Sequence, residues 1–328
     1  MDKRMMDRII EYLKNSANVL IASHINQDGD AIGSLLSVGL ALDFINKKTF
    51  LFNESPIPEV YRFLPGIELI QHEIDDLSAF DTAVILDCGN LDRIGKFARA
   101  VSQIPVIINI DHHMTNTGYG TCLLLDISAC STAEIVYSII KKMGVPIGKE
   151  IATSIYTAIL TDTGSFRASN TNKSAFAICK EMIECGADPY EIAQNVYGKY
   201  SMGRIRLLNL ALESIIISKN AKLSLMIITR DMINETGTQS DDVDGLISYA
   251  KRIKGVKVAV LIQEEKNNPD KINCLKNFHV SLRSDGTVDV TDIALSFGGG
   301  GHHSAAGFNI ETSLDELRTI VMGFSESL

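Results

Sequence analysis

Several side chains that can bind metal ions follow short apolar runs in the first half of the sequence. They are His24, Asp28, Asp30, Asp87 and the consecutive residues Asp111, His112 and His113. Mixed imidazole and carboxylate ligands suit divalent ions of the manganese type, and ions held in this way can activate water as a nucleophile. The residue types therefore predict a metal centre.

Each of these signals also has a purely structural explanation. Asp28 and Asp30 could cap a helix, and Asp87 could form a turn ahead of a glycine. The adjacent histidines could lie on the surface. Asp162 could simply end the helix predicted over 149–161, although an acid is unfavourable at that end of a helix. Taken singly these alternatives stay open, and the metal interpretation depends on all of the residues falling at one edge of a sheet.

The elements that must position these residues follow an alternating pattern. Runs rich in Val, Ile and Leu at 18–23, 82–86 and 106–110 alternate with helical patterns. This alternation predicts a parallel sheet with helices on both faces. In such a sheet the carboxyl ends of the strands meet at one edge, where ligands bind. The predicted fold class is α/β, with a doubly wound N-terminal catalytic domain over residues 1–198.

The second half of the chain has a different pattern of apolar and polar residues. A helical pattern at 202–217 predicts a linker helix within 199–220, and the strand-like runs after it predict a smaller α/β domain over 221–328. The four glycines at 298–301 match neither the dinucleotide-binding fingerprint nor the Walker sequence. They could form a flexible linker. Their position between an apolar helix and residues 305–307 instead favours the interpretation that their backbone amides approach a phosphate.

The order of these residues resembles the four motifs of the DHH phosphoesterase superfamily. The matching segments are 24–30, Asp87, 111–113 and 161–164, and the segments 280–284 and 297–307 resemble the DHH-associated substrate domain. The resemblance covers nearly the whole chain, with Gln27 standing where the family often has proline. It implies hydrolysis of phosphate bonds with two divalent metal ions, expected to be Mn²⁺, with Mg²⁺ or Co²⁺ as alternatives.

The resemblance also implies a role for each metal ligand. One ion would be held by His24, Asp28 and Asp87, and the other by Asp30, Asp87, His112 and Asp162. Asp87 would then bridge the two ions.

The same resemblance implies the residues that act on the substrate. His113 would donate to the substrate phosphate or the leaving oxygen, with Asp111 fixing a histidine ring, although a structural role for His113 stays open. Arg283 would bind a terminal phosphate with its planar guanidinium. The full substrate-binding set is Ser281, Arg283, Gly299, Gly300, Gly301 and His302.

Chain length and the lack of additional modules favour the NrnA-type branch of the superfamily. Its members hydrolyse short oligoribonucleotides (nano-RNA) and adenosine 3',5'-bisphosphate (pAp) and release nucleoside monophosphates. One alternative is hydrolysis of cyclic di-AMP or its linear product pApA. An alternative of a different class is a non-catalytic nucleotide or short-RNA binding protein. Such a protein has no need of so many converging metal-binding residues, whose repulsion lowers stability without ions.

Composition narrows the possible partners. The formal net charge of −9 disfavours a stable complex with long nucleic acid, which leaves short RNA or small nucleotides as the expected ligands. The longest apolar runs are far shorter than the roughly 20 residues that span a bilayer, and the first residues lack a signal-peptide core. We therefore expect no membrane association and a cytoplasmic location. The sequence leaves open whether the protein forms a homodimer.

The six cysteines are scattered along the chain without a C-x-x-C pair. This spacing argues against a disulfide framework and against a thiolate zinc site, and favours packed thiols. The cysteines are Cys88, Cys122, Cys130, Cys179, Cys185 and Cys274.

Overall fold

The computed structural model describes residues 2–198, 200–265 and 275–328. The chain divides into two compact units, Met1–Lys199 and Tyr200–Leu328. Cys88, Cys122, Cys130 and Cys179 are buried free thiols, while Cys274 lies outside the described residues. The exact division into a catalytic domain, a linker and a substrate domain stays a prediction.

A parallel sheet forms the centre of the first unit. Its strands are β1 (Asn18–Ser23), β2 (Lys48–Phe52), β3 (Ile70–Gln71), β4 (Thr82–Leu86), β5 (Val106–Asp111) and β6 (Cys122–Leu125). They pair in the order β3-β2-β1-β4-β5-β6, and every pairing is parallel. The order reverses direction between β1 and β4, and in open α/β sheets this switch point opens a crevice at the carboxyl ends of the two strands.

Helices cover this sheet unevenly. They are α1 (Lys3–Asn15), α2 (Gly29–Phe44), α3 (Ala98–Val101), α4 (Thr132–Met143), α5 (Lys149–Asp162), α6 (Lys173–Glu184) and α7 (Pro189–Tyr197). A large apolar core lies between one face of the sheet and helices such as α1, α2, α4 and α5. The opposite face is covered by α3, short 3-10 turns and loops. The predicted parallel α/β fold is confirmed, but long helices are concentrated on one side.

Close packing of α2 against α5 brings two distant segments together. A Cβ atom at Gly29 would collide with Thr161, and one at Gly33 would collide with the Ser154 carbonyl and Ala158. Only glycine therefore permits this approach. Because Gly29 lies at the start of α2 and Thr161 near the end of α5, the packing places the first turn of α2 beside Asp162.

The second unit contains a mixed sheet. Its strands are β7 (Ile216–Ile217), β8 (Leu223–Ile228), β9 (Val258–Glu264), β10 (Lys276–Ser284), β11 (Gly300–His302) and β12 (Ala305–Thr312), paired in the order β11-β12-β10-β9-β8-β7. β8 and β9 pair in parallel and the other pairings are antiparallel. The helices are α8 (Met202–Glu213), α9 (Arg230–Thr236), α10 (Ile247–Lys251), α11 (Thr291–Ser296) and α12 (Leu314–Gly323).

The helix expected as a linker is part of the second unit. Leu207 and Ala211 of α8 are fully buried in an apolar cluster that includes Met226 and Ile233. The helix ends at Glu213, and Ile216–Ile217 form the short strand β7, where the sequence predicts helix up to residue 217. The pairing of β7 with β8 explains this difference, because strand pairing satisfies the backbone groups there.

None of the helices within the described residues is both long and apolar enough to cross a membrane.

Candidate metal centre and substrate-binding residues

The candidate metal ligands of the first unit come from five places in the fold. His24 follows β1, Asp87 follows β4 and His112 follows β5. Asp28 and Asp30 lie at the start of α2, and Asp162 is the last residue of α5. The strands end at the switch point of the sheet, so one edge collects side chains from segments that are far apart in sequence.

Asp87 lies at the centre of this arrangement. Its carboxylate Oδ2 is 3.6 Å from His24 Nε2, its Oδ1 is 3.6 Å from His112 Nε2, and the Thr132 hydroxyl donates to Oδ1 at 2.9 Å. Burial acts to raise the pKa of Asp87, but the neighbouring histidines His24, His113 and His112 outweigh it, so the pKa lies well below its usual range. Asp87 is thus held as a carboxylate although it is only 2% exposed.

The backbone of Asp87 is strained. Its φ angle is +54°, in the left-handed region that residues other than glycine, asparagine and aspartate rarely adopt. The Asp87 N–H donates to the Ile110 carbonyl at 3.0 Å, which anchors the turn to β5. Such strain clusters at functional sites because it aims a side chain in a direction that regular structure does not allow.

One group of ligand atoms consists of His24, Asp28 and Asp87. Their ligand atoms lie within 4.8 Å of one another. His24 Nδ1 lies 2.8 Å from the Ile25 carbonyl and donates to it, which leaves Nε2 as the atom that can coordinate an ion. Asp28 caps α2, because its Oδ1 accepts from the N–H groups of Asp30 and Ala31, both at 3.0 Å. The capping explanation for Asp28 is therefore correct, and it leaves Oδ2 for a ligand.

A second group consists of Asp30, Asp87 and His112, again with ligand atoms within 4.8 Å. Asp162 adjoins this group, with Oδ2 at 3.9 Å from His112 Nε2. Burial, together with the charges of neighbouring carboxylates, raises the pKa of Asp30 well above its usual value, and the same is true of Asp162. Both pKa values rise because several acids share a small buried space.

This donor set fits divalent cations. Buried carboxylates that converge in this way repel one another unless positive charge lies between them. Imidazole nitrogens and carboxylate oxygens together suit Mn²⁺ and related ions. The Asp87 carboxylate belongs to both groups, with one oxygen near His24 and the other near His112, so two ions could share this ligand.

The Asp111 and His113 side chains form a pair beside this cluster. His113 Nδ1 donates to Asp111 Oδ1 at 2.7 Å, and Asp111 is fully buried. Burial acts to lower the pKa of His113, but the hydrogen bond to Asp111 and the charge of Asp87 raise it to about 9. For Asp111, burial raises the pKa but the hydrogen bond from His113 outweighs it, and the net shift is downward. In this pair, one imidazole nitrogen of His113 is hydrogen-bonded to an ionised carboxylate.

Four of the six residues expected to bind substrate lie on one face of the sheet in the second unit, whereas Gly299 precedes β11 and Gly301 pairs with Ala306. Arg283 pairs in register with Ala305, which pairs with His302, so these three side chains form one cross-strand row. Ser281, Gly307 and Gly300 form the adjacent row on the same face. A Cβ atom at Gly307 would meet the Val280 carbonyl at 3.0 Å and the His279 ring at 3.5 Å. The second unit thus brings together Arg283, Ser281, Gly300 and His302.

The glycine run has a structural role that the sequence does not suggest. A Cβ atom at Gly299 would collide with the Gly307 carbonyl, and one at Gly301 would collide with the Ala305 carbonyl. Gly301 also has a φ angle of +147°, which favours glycine. Gly300 has open space around it. The run is therefore not a flexible linker: Gly299 and Gly301 allow β12 to approach, while Gly298 and Gly300 have open space around them.

Three supporting residues are absent from the sequence-based set. The Thr132 N–H donates to Asp30 Oδ2 at 2.6 Å, and the Ala133 N–H donates to Asp30 Oδ1 at 3.0 Å, so Asp30 caps α4 from another part of the chain. The Asn170 amide donates to Asp162 Oδ2 at 2.8 Å. A Ser-x-x-Glu pattern at 131–134 does signal the start of α4, but no local pattern shows which distant carboxylate its N–H groups meet.

Hydrogen bonds with residues 53–56 hold the loop that carries His24 and Asp28. The buried Asn53 amide donates to the Ser23 hydroxyl at 2.8 Å and to the His24 carbonyl at 2.9 Å. The Gln27 amide donates to the carbonyls of Ser55 and Pro56 at 3.2 and 3.1 Å. Gln27 therefore supplies by hydrogen bonding a stiffness that proline would supply covalently.

The fold and the site define a class: a two-unit α/β protein with a cluster of acids and histidines at the switch point of a parallel sheet. The model of the DHH family N-terminal domain matches residues 18–159, and the DHHA1 domain model matches residues 222–325. The chain belongs to the DHH family, as its motifs predict, and is a phosphoesterase of that family.

Relatives cover nearly the whole chain. The bifunctional oligoribonuclease and PAP phosphatase NrnA of Thermus thermophilus is 32% identical over 298 residues, which is 89% of this chain and 84% of the relative. The protein of the same name from Bacillus subtilis is 24% identical, with 93% of each chain covered. The crystal structure of an exopolyphosphatase-related protein from Bacteroides fragilis aligns with a TM-score of 0.88 and 27% identity, over 97% of this chain and 94% of that one.

Proposed function

We propose that this protein uses two divalent metal ions, with Mn²⁺ as the expected ion, to hydrolyse short oligoribonucleotides and pAp to nucleoside monophosphates. The observation that carries the proposal is the position of Asp87. Its carboxylate belongs both to the group with His24 and Asp28 and to the group with Asp30 and His112. A shared carboxylate between two donor groups is what a two-metal centre requires.

The proposed ligands divide between the two ions. His24, Asp28 and Asp87 would hold one ion, and Asp30, Asp87, His112 and Asp162 would hold the other. Ions bound there would stabilise negative charge on the phosphoryl group and make water a better nucleophile at neutral pH. Hydrogen bonds fix two of these carboxylates before an ion binds. Asp30 accepts from the N–H groups of Thr132 and Ala133, and Asp162 accepts from the Asn170 amide. This preorganisation reduces the ordering needed on binding.

The protein's own residues would handle the proton and the substrate charge. His113 Nδ1 is committed to Asp111, so His113 Nε2 is the atom that would donate to a phosphate or leaving-group oxygen. In the second unit, the Arg283 guanidinium would pair with a terminal phosphate in a bidentate manner. Ser281, Gly300 and His302 lie on the same face and would add donors to that phosphate, with Gly299 and Gly301 shaping the backbone around it.

The substrate class follows from size, charge and relatives. A protein with a formal net charge of −9 repels extended polyanions, whereas a nucleotide with one or a few phosphates can be held by two cations and one arginine. The relatives from Thermus thermophilus and Bacillus subtilis are named for oligoribonuclease and PAP phosphatase activities. Short RNA and pAp are therefore the proposed substrates.

A substrate panel with an isosteric variant tests this proposal. The protein is stripped with a chelator, restored with Mn²⁺, and assayed on pAp, RNA of two to five nucleotides, cyclic di-AMP and pyrophosphate. We expect metal-restored release of AMP from pAp and of mononucleotides from RNA. Asp87→Asn is the sharpest variant because asparagine tolerates the left-handed backbone. It should lower kcat on the order of 1000-fold, because it removes the shared charge.

The matched control is Asp92→Asn, which changes an exposed acid five residues further along the chain. It should leave kcat and KM unchanged. Near-normal activity in Asp87→Asn would refute the bridging role. If metal restores no hydrolysis of any substrate, a nucleotide-binding function replaces the enzymatic one. Preferential cleavage of cyclic di-AMP would reassign the substrate.

A further inference from the structure

A buried amide lies within the apolar strand that leads to the Asp-His-His segment. Asn109 of β5 has no solvent exposure and stands between two isoleucines. Its amide nitrogen donates to the Tyr119 hydroxyl at 3.0 Å and to the carbonyls of Ile85 and Cys88, both at 3.3 Å. Burial of an amide is unfavourable unless its hydrogen bonds are made. Asn109 makes them with the neighbouring strand and with a tyrosine from the loop that follows.

Asn116 extends these contacts to the Asp111–His113 pair. Its amide nitrogen donates to Asn109 Oδ1 at 2.8 Å and to Asp111 Oδ2 at 2.6 Å. Its own Oδ1 accepts from the Gly118 N–H at 2.8 Å. Asn116 is therefore fixed by its neighbours on both sides and can hold Asp111 in one orientation.

Both carboxylate oxygens of Asp111 accept hydrogen bonds in this arrangement. Oδ1 accepts from the N–H groups of His112 and His113 and from His113 Nδ1, at 2.8, 3.3 and 2.7 Å. Oδ2 accepts from Asn116. Without Asn116, one carboxylate oxygen would lose its side-chain donor in a buried place. The orientation of the His113 ring depends on Asp111, so Asn116 acts on that ring through Asp111.

Tyr119 connects the same residues to the turn at Asp87. Its hydroxyl donates to the Cys88 carbonyl at 2.7 Å, next to the bond that Asn109 donates to the same carbonyl. Cys88 directly follows Asp87, whose backbone is in the left-handed conformation. Two donors to the Cys88 carbonyl therefore hold the Cys88–Gly89 peptide, one residue beyond the strained Asp87, and they oppose relaxation of the turn.

We propose that Asn109, Asn116 and Tyr119 form one positioning network with two arms. The Asn116 arm orients the Asp111–His113 pair toward the substrate, and the Tyr119 arm holds the turn that aims Asp87 at the metal ions. Asn109 joins the arms. These are positioning residues that act through others, and the inference rests on the proposed two-metal function. Asn109 is buried and Asn116 and Tyr119 are half-buried, and hydrogen bonds in a network shielded from water reinforce one another.

Two single-group variants separate the arms. Asn116→Ala should lower kcat on pAp by about tenfold, the value of a hydrogen bond to a charged group, with KM and Mn²⁺ affinity unchanged. Tyr119→Phe removes only the hydroxyl and should weaken Mn²⁺ binding by about tenfold or more, as loss of outer contacts does at other metal sites. Its kcat at saturating Mn²⁺ should stay near the wild-type value. Calorimetric titration of the metal-free protein with Mn²⁺, after the chelator has been removed, measures the Mn²⁺ affinity without any substrate.

A third variant distinguishes positioning from simple packing. Asn116→Asp keeps the shape of the side chain but places a carboxylate against Asp111 Oδ2. The network requires it to be at least as damaging to kcat as Asn116→Ala, whereas a packing role requires it to be milder. Asn195→Ala and Tyr190→Phe, which change a half-buried and an exposed residue of α7, are the matched controls and should leave kcat, KM and Mn²⁺ affinity unchanged.

The outcomes are separable from those of the proposed function. Unchanged kcat in Asn116→Ala, a milder effect of Asn116→Asp, or unchanged Mn²⁺ affinity in Tyr119→Phe would overturn the network. Should the wild-type protein hydrolyse none of the substrates, the proposed function fails, but the Mn²⁺ affinity of Tyr119→Phe still decides the metal arm. Thermal unfolding of each variant shows whether it is folded, and an unfolded Asn116→Ala leaves Tyr119→Phe to test the inference.

Discussion

Neighbouring acids in the first unit have opposite pKa shifts because their partners differ. Asp87 faces histidines and a threonine hydroxyl, and its pKa lies below its usual range. Burial and the charges of neighbouring carboxylates raise the pKa values of Asp30 and Asp162, although both accept hydrogen bonds. A cation placed among them would reverse the balance for Asp30 and Asp162. All three carboxylates are positioned by hydrogen bonds, but the opposite directions of their pKa shifts distinguish Asp87 from Asp30 and Asp162.

Arg283 is the residue on which recognition of a terminal phosphate should depend. Arg283 is half-buried, and burial lowers its pKa, an effect that the charge of Asp244 partly opposes. Arg283→Lys keeps the charge but loses the planar pair of donors. It should raise KM for pApA by about tenfold, with a much smaller change for ApA, which lacks the 5'-phosphate, and with kcat nearly constant.

Steady-state kinetics on the two dinucleotides measures this difference. Arg252→Lys, at an exposed position on the same unit, is the matched control and should change neither KM. Equal KM values for wild type and Arg283→Lys on pApA would remove Arg283 from the substrate site.

At the level of elements, the sequence shows strand ends but not the contacts between distant segments. The runs that end at His24, Asp87 and Asp111 are recognisable because buried parallel strands are continuously apolar. The capping of α4 by Asp30 is not recognisable, because it joins residues 102 positions apart and involves backbone N–H groups. Asn109 does leave a signal: an amide inside an apolar strand needs buried partners. Their identity requires the fold.

The hairpin of β11 and β12 gives a test of why the glycines are there. Gly301→Ala places a Cβ against the Ala305 carbonyl at a φ angle of +147°, and strain of this kind costs about 1–3 kcal/mol. Gly300→Ala, one residue away, meets open space and should cost much less. Hydrogen exchange of residues 300–312 should show faster opening in Gly301→Ala than in Gly300→Ala. Equal exchange in both variants would mean that the run is not constrained by β12.

At the level of the whole molecule, the metal cluster ties together segments that are remote in sequence but confined to the first unit. The proposed ligands come from the ends of β1, β4, β5 and α5 and from the start of α2. An ion bound there would stabilise all of these elements together, because it binds only the folded arrangement. The second unit has its own apolar clusters and does not contribute to these ligands.

Removal of the ions should therefore destabilise the two units unequally. At about 100 times its Kd, Mn²⁺ stabilises a folded site by about 2.7 kcal/mol. We expect removal of the ions by a chelator to speed hydrogen exchange in α2, α4 and β4 while leaving β8 to β10 unchanged.

Asp162→Asn should lose most of the stabilisation that Mn²⁺ gives to the folded protein. Without metal, however, the variant should be at least as stable as the metal-free wild type, because one of several mutually repelling carboxylates is gone. Asp43→Asn, an exposed acid of α2, should behave as wild type in both states. If chelation slows or accelerates exchange equally in both units, the stabilising ion does not reside in this cluster, and the raised pKa values of Asp30 and Asp162 would need another explanation.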